Sequence, residues 1–302
     1  VDKKAPPFAG QPSGMRLIAF VGFALAVLVF PATAQEAVTL RADPVAIVDA
    51  EINGRQVRLE VDPTFPDVLA LSAAAAQRLG VRRLPLLAAE VSIEGGSSMR
   101  ARVARPRITF DGRAARNFAG IFPAPVSTRA DGVIGPGSLP YDVITFELGP
   151  APVSAREIVF PLENPDVWRV RAQVGGETLT VLFDIAHDWS TLNRPAARLF
   201  DARGAIPANG DLEQRQLVLG LSTLMQPVTT DLSMQGLSLG PTYARTLSPL
   251  LGALEEDAVV VEAEGSGNPP GMTFGRAALR QAGCSTISVD RRSRRLTLRC
   301  AG

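Results

Sequence analysis

A strand–turn–strand unit that ends in an aspartate and runs into a short capped helix occurs twice, and this repetition limits the possible folds more than any other feature of the chain. The first copy runs from Val45 to Gly80 and the second from Trp168 to Phe200. In each, a two-residue turn, Asn53-Gly54 or Gly175-Gly176, begins nine residues before the aspartate (53 to 62 and 175 to 184). Val57, Leu59 and Val61 alternate with Gln56, Arg58 and Glu60, which predicts a strand with one buried and one wet face. After Asp62, Ser72 is placed to cap a helix over the alanine run and Gly80 to stop it. After Asp184, Asn193 takes the capping position and Pro195 the first turn.

The parallel continues along both halves. Glu90–Glu94 and Met99–Val103 form a predicted hairpin around Gly95-Gly96-Ser97-Ser98. Ile108–Phe110 turns at Asp111-Gly112 and returns through Asn117 to Phe122. The second half offers a strand over Leu217–Leu221, then Leu237–Leu239, a turn at Gly240-Pro241 and a return through Ala244. Each half then closes on an apolar–apolar–glycine segment with a leucine four residues after the glycine. These are Val133-Ile134-Gly135 with Leu139, and Thr273-Phe274-Gly275 with Leu279. The Asp-to-Gly interval is 73 residues in the first half (62 to 135) and 91 in the second (184 to 275), so the second carries insertions, with Gly252 to Gly271 as the expected loop. Repeats this long do not suit a solenoid. The expectation is an all-β chain with few short helices: two lobes, residues 35–160 and 161–302, from an internal duplication, with one cleft between them.

Met15-Arg16, the apolar run Leu17 to Phe30 and Ala32-Thr33-Ala34 have the order of a secretory signal, read as residues 15–34, with Val1 to Gly14 upstream of a candidate start. The run is short of the roughly 20 apolar residues of a membrane span, so no stable span is expected after cleavage and the product is placed in the periplasm or outside the cell. Residues 1–34 contain Lys3, Lys4, Arg16 and Asp2, which leaves 28 basic and 29 acidic side chains, a net charge of −1, and no lysine. That balance gives no electrostatic drive toward nucleic acid or anionic lipid. Arg291, Arg292, Arg294 and Arg295 are read as a solvated hairpin turn. Cys284 and Cys300 flank two alternating arms, Thr286–Val289 and Leu296–Leu298, whose pairing brings them together as a disulfide. A metal or redox pair is the weaker alternative, since no C-x-x-C spacing and no nearby histidine accompany them.

In the order of these elements the chain resembles the retropepsin and pepsin-like aspartic peptidases, particularly exported bacterial ones. The most specific match is Asp131-Gly132-Val133-Ile134-Gly135 with Leu139. The resemblance implies a carboxylate from each lobe, Asp62 and Asp184, sharing a proton and activating a water. It also implies a flap at Gly95, Gly96 and Ser97, and supporting loops through Gly135 and Gly275. No cofactor or metal is implied. The bound partner is a peptide or protein, and one chain supplies both halves of the cleft, so a monomer is expected.

The departures fall on the motif itself. The family carries Asp-Thr-Gly or Asp-Ser-Gly in each lobe, where this chain has Asp62-Pro63-Thr64 and Asp184-Ile185-Ala186. Pro63 and Ile185 lack the hydroxyl that ties the two family loops together, and Thr64 and Ala186 add a Cβ where the family has glycine. The expectation is an interlobe peptide-binding cleft with impaired or lost proteolysis; the alternative is an active endopeptidase using Asp62 and Asp184. His187, the one histidine of the chain, and Trp189 are candidates to line the cleft, although an exposed loop is the favoured place for His187. Neither a G-x-S-x-G elbow nor a dinucleotide or P-loop fingerprint is present.

Overall fold

Period-two alternation dominates the chain, and strands follow it. The computed structural model describes residues 36–92, 98–165, 168–245 and 269–302. The flap-tip residues Gly95, Gly96 and Ser97, the apolar run Leu17 to Phe30 and most of the Gly252–Gly271 loop lie outside the described residues. Residues from Gln35 to Gly302 form one compact unit. It is built mostly of strands, with three short helices, α1 (Ala73–Arg78), α2 (Arg194–Asp201) and α3 (Arg276–Gln281), among the described residues.

Two nine-stranded sheets carry the chain. The first has the order Arg83–Ser92, Ser98–Ala104, Ala119–Phe122, Leu69–Ser72, Gly132–Ile134, Arg55–Val61, Ala46–Ile52, Arg107–Phe110, Arg113–Arg116. The second reads Glu213–Gln216, Ser222–Val228, Thr242–Ala244, Ser190–Leu192, Gly271–Phe274, Glu177–Phe183, Arg169–Val174, Ser233–Met234, Leu237–Ser238. The two orders match place for place in sequence rank, and so do the strand directions. In both, the strand that delivers the aspartate runs parallel to the strand that ends at the glycine: Ile134 faces Val61 and Phe274 faces Phe183.

Local chemistry explains the match. Asn53-Gly54 and Gly175-Gly176 all have positive φ (53°, 76°, 55° and 84°), the conformation of a tight hairpin turn that suits right-twisted strands. Ser72 Oγ accepts from Ala75 N at the start of α1, and Asn193 Oδ1 accepts from Ala196 N at the start of α2.

A third, five-stranded sheet draws on both ends of the chain, in the order Ala37–Arg41, Val143–Glu147, Thr286–Asp290, Arg295–Ala301, Ala155–Pro161. The C-terminal hairpin therefore pairs with strands of residues 35–160. One apolar core runs through all three sheets, and Trp168, 1 % exposed, meets Phe146 edge-on at 5.1 Å within it. Two of the four arginines expected in a solvated turn are anchored: Arg291 donates to the carbonyls of Leu139 (2.8 Å) and Pro136 (2.7 Å), and Arg292 pairs with Asp142. The arms of this hairpin bring Cys284 and Cys300 together as a disulfide with a sequence separation of 16. For a loop of that size the chain-entropy estimate is about 3 kcal/mol. The Cys284→Ser, Cys300→Ser double variant is expected to lose about that much stability in urea unfolding without reductant. No helix among the described residues is long and apolar enough to cross a membrane.

Candidate active site

Each aspartate sits at the end of its strand, held by the loop that crosses beneath it. Asp62 N donates to Ile134 O (3.1 Å) and Asp184 N to Phe274 O (2.9 Å), in each case the carbonyl just before the glycine. Those glycines are required by space. A Cβ on Gly135 would lie 2.3 Å from Pro66 O, and one on Gly275 would lie 2.2 Å from Trp189 O. Ser190, fully buried, completes the second crossing: its Oγ accepts from Gly275 N (3.0 Å) and donates to Leu239 O (2.6 Å).

The residues after each aspartate reach its carboxylate through their backbone. Thr64 N and Ala186 N both donate to the Oδ1 of their aspartate at 2.8 Å. The backbone approach is thus kept despite the side chains at 64 and 186. Thr64 Oγ1 adds a bond to Asp62 Oδ1 (2.7 Å), and His187 N adds one to Asp184 Oδ1 (3.0 Å). Pro63 and Ile185 are buried and offer no hydroxyl between the loops.

The largest asymmetry lies at His187. Its Nδ1 is 2.7 Å from Asp184 Oδ2, so the second carboxylate oxygen is engaged by an imidazole three residues on. The exposed-loop placement for His187 does not hold, because its side chain is only 20 % exposed and lines a cleft cavity of about 350 Å³. Asp62, Ala186 and Trp189 line the same cavity, along with Glu60 and the segments 125–129 and 216–220.

The titration of the site follows from this geometry. Burial first, and the charge of Asp184 second, push the Asp62 carboxyl up to about 6, against the two hydrogen bonds from Thr64 and the attraction of His187. For His187 burial is the largest single influence and disfavours the imidazolium. The Asp184 hydrogen bond and the charges of Asp184, Asp62 and Glu60 together outweigh it, so its pKa is raised. The two aspartates expected to act together are therefore electrostatically linked, and an imidazole joins them. Among the described residues no group of three His, Cys, Asp or Glu side chains is placed to hold a metal.

Several cavity residues have no sequence signal. Ser127 Oγ donates to Glu60 Oε2 (2.7 Å) and accepts from Arg129 N and Ala130 N, which pins the 125–129 segment beside Asp62. On the opposite wall the His187 and Trp189 rings meet at a tilt, their centroids 4.8 Å apart. The Arg215 guanidinium lies 5.0 Å from the Trp189 ring and 4.3 Å from that of Tyr243. Arg276, nearly buried, ties this wall down: its N donates to His187 O, its Nε to Asp188 Oδ1 (2.9 Å) and its Nη1 to Pro44 O (2.6 Å). Leu217 to Leu221, whose alternation reads as a strand, is instead the turn of a hairpin between Glu213–Gln216 and Ser222–Val228. Gly220 and the positive φ it adopts are the one cue to that turn. Comparison with protein-family models and with curated proteins returns no match for this chain.

Proposed function

We propose that this is a bilobal aspartic-peptidase-like protein, formed by internal duplication, whose cleft binds an extended peptide and whose proteolysis is impaired. What carries the reading is the equivalence of Asp62 and Asp184. They occupy the same place in two sheets of matching strand order, bonded to the same carbonyl of the same crossing segment. The impairment follows from His187. Peptide hydrolysis of this type needs a water held between a carboxylate that takes its proton and a second acid that hydrogen-bonds the carbonyl oxygen, each within about 3 Å. Here the second oxygen of Asp184 is bonded to an imidazole. The missing hydroxyls of Pro63 and Ile185 remove the expected tie between the loops. Displacements near 1 Å are enough to cost on the order of a hundredfold in rate.

Export to the periplasm or beyond is part of the proposal. It is motivated by the signal-like residues 15–34 and by a disulfide that suits an oxidising compartment. A second reading, an active endopeptidase, is favoured by one observation. The Asp62 carboxyl is raised by burial and the Asp184 charge, as one member of a proton-sharing pair would be.

The two readings separate in one experiment. The protein and its Asp62→Asn and Asp184→Asn variants are incubated with a mixed peptide pool from pH 3 to pH 7, with bound peptides and cleavage products identified by mass spectrometry. Retention of peptides without new termini is the expected result. Products made by the unmodified chain and lost in both variants would establish the endopeptidase, and failure to retain any peptide would remove the cleft-binding reading.

A further inference from the structure

The turn between Glu213–Gln216 and Ser222–Val228, the hairpin at one edge of the second sheet, reaches across the cleft. Beyond the last paired residues, Gln216 and Ser222, the chain closes through Leu217 N to Leu221 O (2.7 Å) and Leu221 N to Val218 O (3.1 Å). Leu219 and Leu221, each 2 % exposed, do not join the main core. They form a separate apolar cluster with Phe65, Phe122, Val126 and Val133, all from residues of the first sheet and its loops. Three members of that cluster, Val126, Val133 and Leu219, also line the cavity that holds Asp62 and His187.

Leu219 has φ 59° and ψ 21°, a left-handed conformation that is strained for any residue with a branched side chain. A strained backbone persists where the surroundings over-determine it. Here the determining contact is burial of the leucine side chain against the opposite sheet. The cavity of about 350 Å³ beside the turn is at the small end of ligand sites, and Leu219 forms part of its wall.

We propose that the 217–221 turn is a built-in occupant of the peptide cleft, with Leu219 filling the first-sheet pocket that receives one leucine-sized aliphatic side chain of a bound peptide. Binding then requires the turn to withdraw, and the preferred ligand is a peptide that replaces Leu219 with its own aliphatic side chain. This inference rests on the cleft-binding reading above.

Leu219→Gly tests it, because glycine suits the left-handed backbone while deleting the plug. Affinities of the full chain and the variant are measured for two octapeptides that differ at one central position, leucine or asparagine. In parallel, N-acetyl-leucine amide and N-acetyl-asparagine amide are tested for protection against urea. The expected result is that Leu219→Gly binds the leucine peptide about tenfold tighter than the unmodified chain, a gain the asparagine peptide does not share. N-acetyl-leucine amide is expected to stabilise the variant alone. Equal affinities in the two proteins would overturn the inference while leaving the cleft-binding reading intact. Protection of the variant by the leucine amide without binding of either octapeptide would keep the pocket and remove the peptide reading. Neither protection nor binding would remove both.

Discussion

Replacing Gly275 with alanine is expected to destabilise the protein by about 4 kcal/mol or more, a large share of the 5–15 kcal/mol that holds a typical domain together. The cause is steric and lies in the backbone. The new Cβ would meet Trp189 O at 2.2 Å, Trp189 C at 2.3 Å and Ser190 N at 2.9 Å, where no side-chain rotation gives relief. The conformation itself is ordinary, since φ at Gly275 is −81°, so alanine is excluded by contact alone. Nor can the opposing strand retreat. Ser190 N donates to Pro241 O, and Ser190 Oγ bridges Gly275 N and Leu239 O. Relief has to come from the Phe274–Asp184 bond, which displaces the carboxylate. Gly135→Ala is expected to behave alike, with its Cβ 2.3 Å from Pro66 O at a φ of −72°. Gly149→Ala, which meets nothing within 4 Å, is the control and is expected to change stability by less than about 0.5 kcal/mol. The three variants are compared by urea unfolding. A Gly275→Ala midpoint equal to that of Gly149→Ala would show that the crossing segment is loose and that Asp184 is not held by it.

These glycines illustrate what the sequence discloses. Period-two alternation, the paired turns at Asn53-Gly54 and Gly175-Gly176, and the caps at Ser72 and Asn193 are local signals. Local signals suffice for the two matching sheets because each fixes a face, a turn or a helix start by itself. The apolar–apolar–glycine segments were legible for the same reason. What stayed hidden depends on the far side of the cleft. Leu217, Leu219 and Leu221 alternate as a buried strand would; Gly220 is the one local sign of a turn, and the place that buries Leu219 lies on the first sheet. His187 has no sequence neighbour that distinguishes a loop histidine from one bonded to a carboxylate three residues back. The difference is set by Arg276, eighty-nine positions on (187 to 276), whose N–H holds the His187 carbonyl. The Oδ1 bonds at Thr64 and Ala186 have no sequence signal because they use backbone N–H groups, which every residue but proline supplies.

The charge arrangement of the site makes a second large prediction, in pH rather than in packing. Asp62 titrates near 6 in the folded chain against an ordinary value of 3.8, so between these values the folded state holds a proton that the unfolded state has lost. The stability that this proton represents is complete below about pH 3.8 and disappears as pH rises through 6, a change of about 3 kcal/mol at the usual 1.36 kcal/mol per pKa unit. His187 has the same sign in a later window. Its raised pKa stabilises the fold below its ordinary 6.5, and that contribution is lost as pH climbs through the higher folded value. Asp62→Asn keeps an acceptor for Thr64 N and removes the buried charge. The variant is therefore expected to match the unmodified chain near pH 3.5 and to exceed it at pH 7, by up to about 3 kcal/mol less whatever the His187 attraction returned. His187→Asn is expected to cost more at pH 6 than at pH 9, since protonation adds the attraction of the Asp184 and Asp62 charges to a hydrogen bond that a neutral Nδ1–H also makes to Asp184. Urea midpoints at pH 3.5, 5, 7 and 9 check both. An Asp62→Asn curve parallel to that of the unmodified chain would mean that Asp62 is not the group buried beside Asp184. A gain that opens between pH 4 and 6 would show that the cleft holds a carboxylate at the expense of stability, as residues kept for binding or chemistry are.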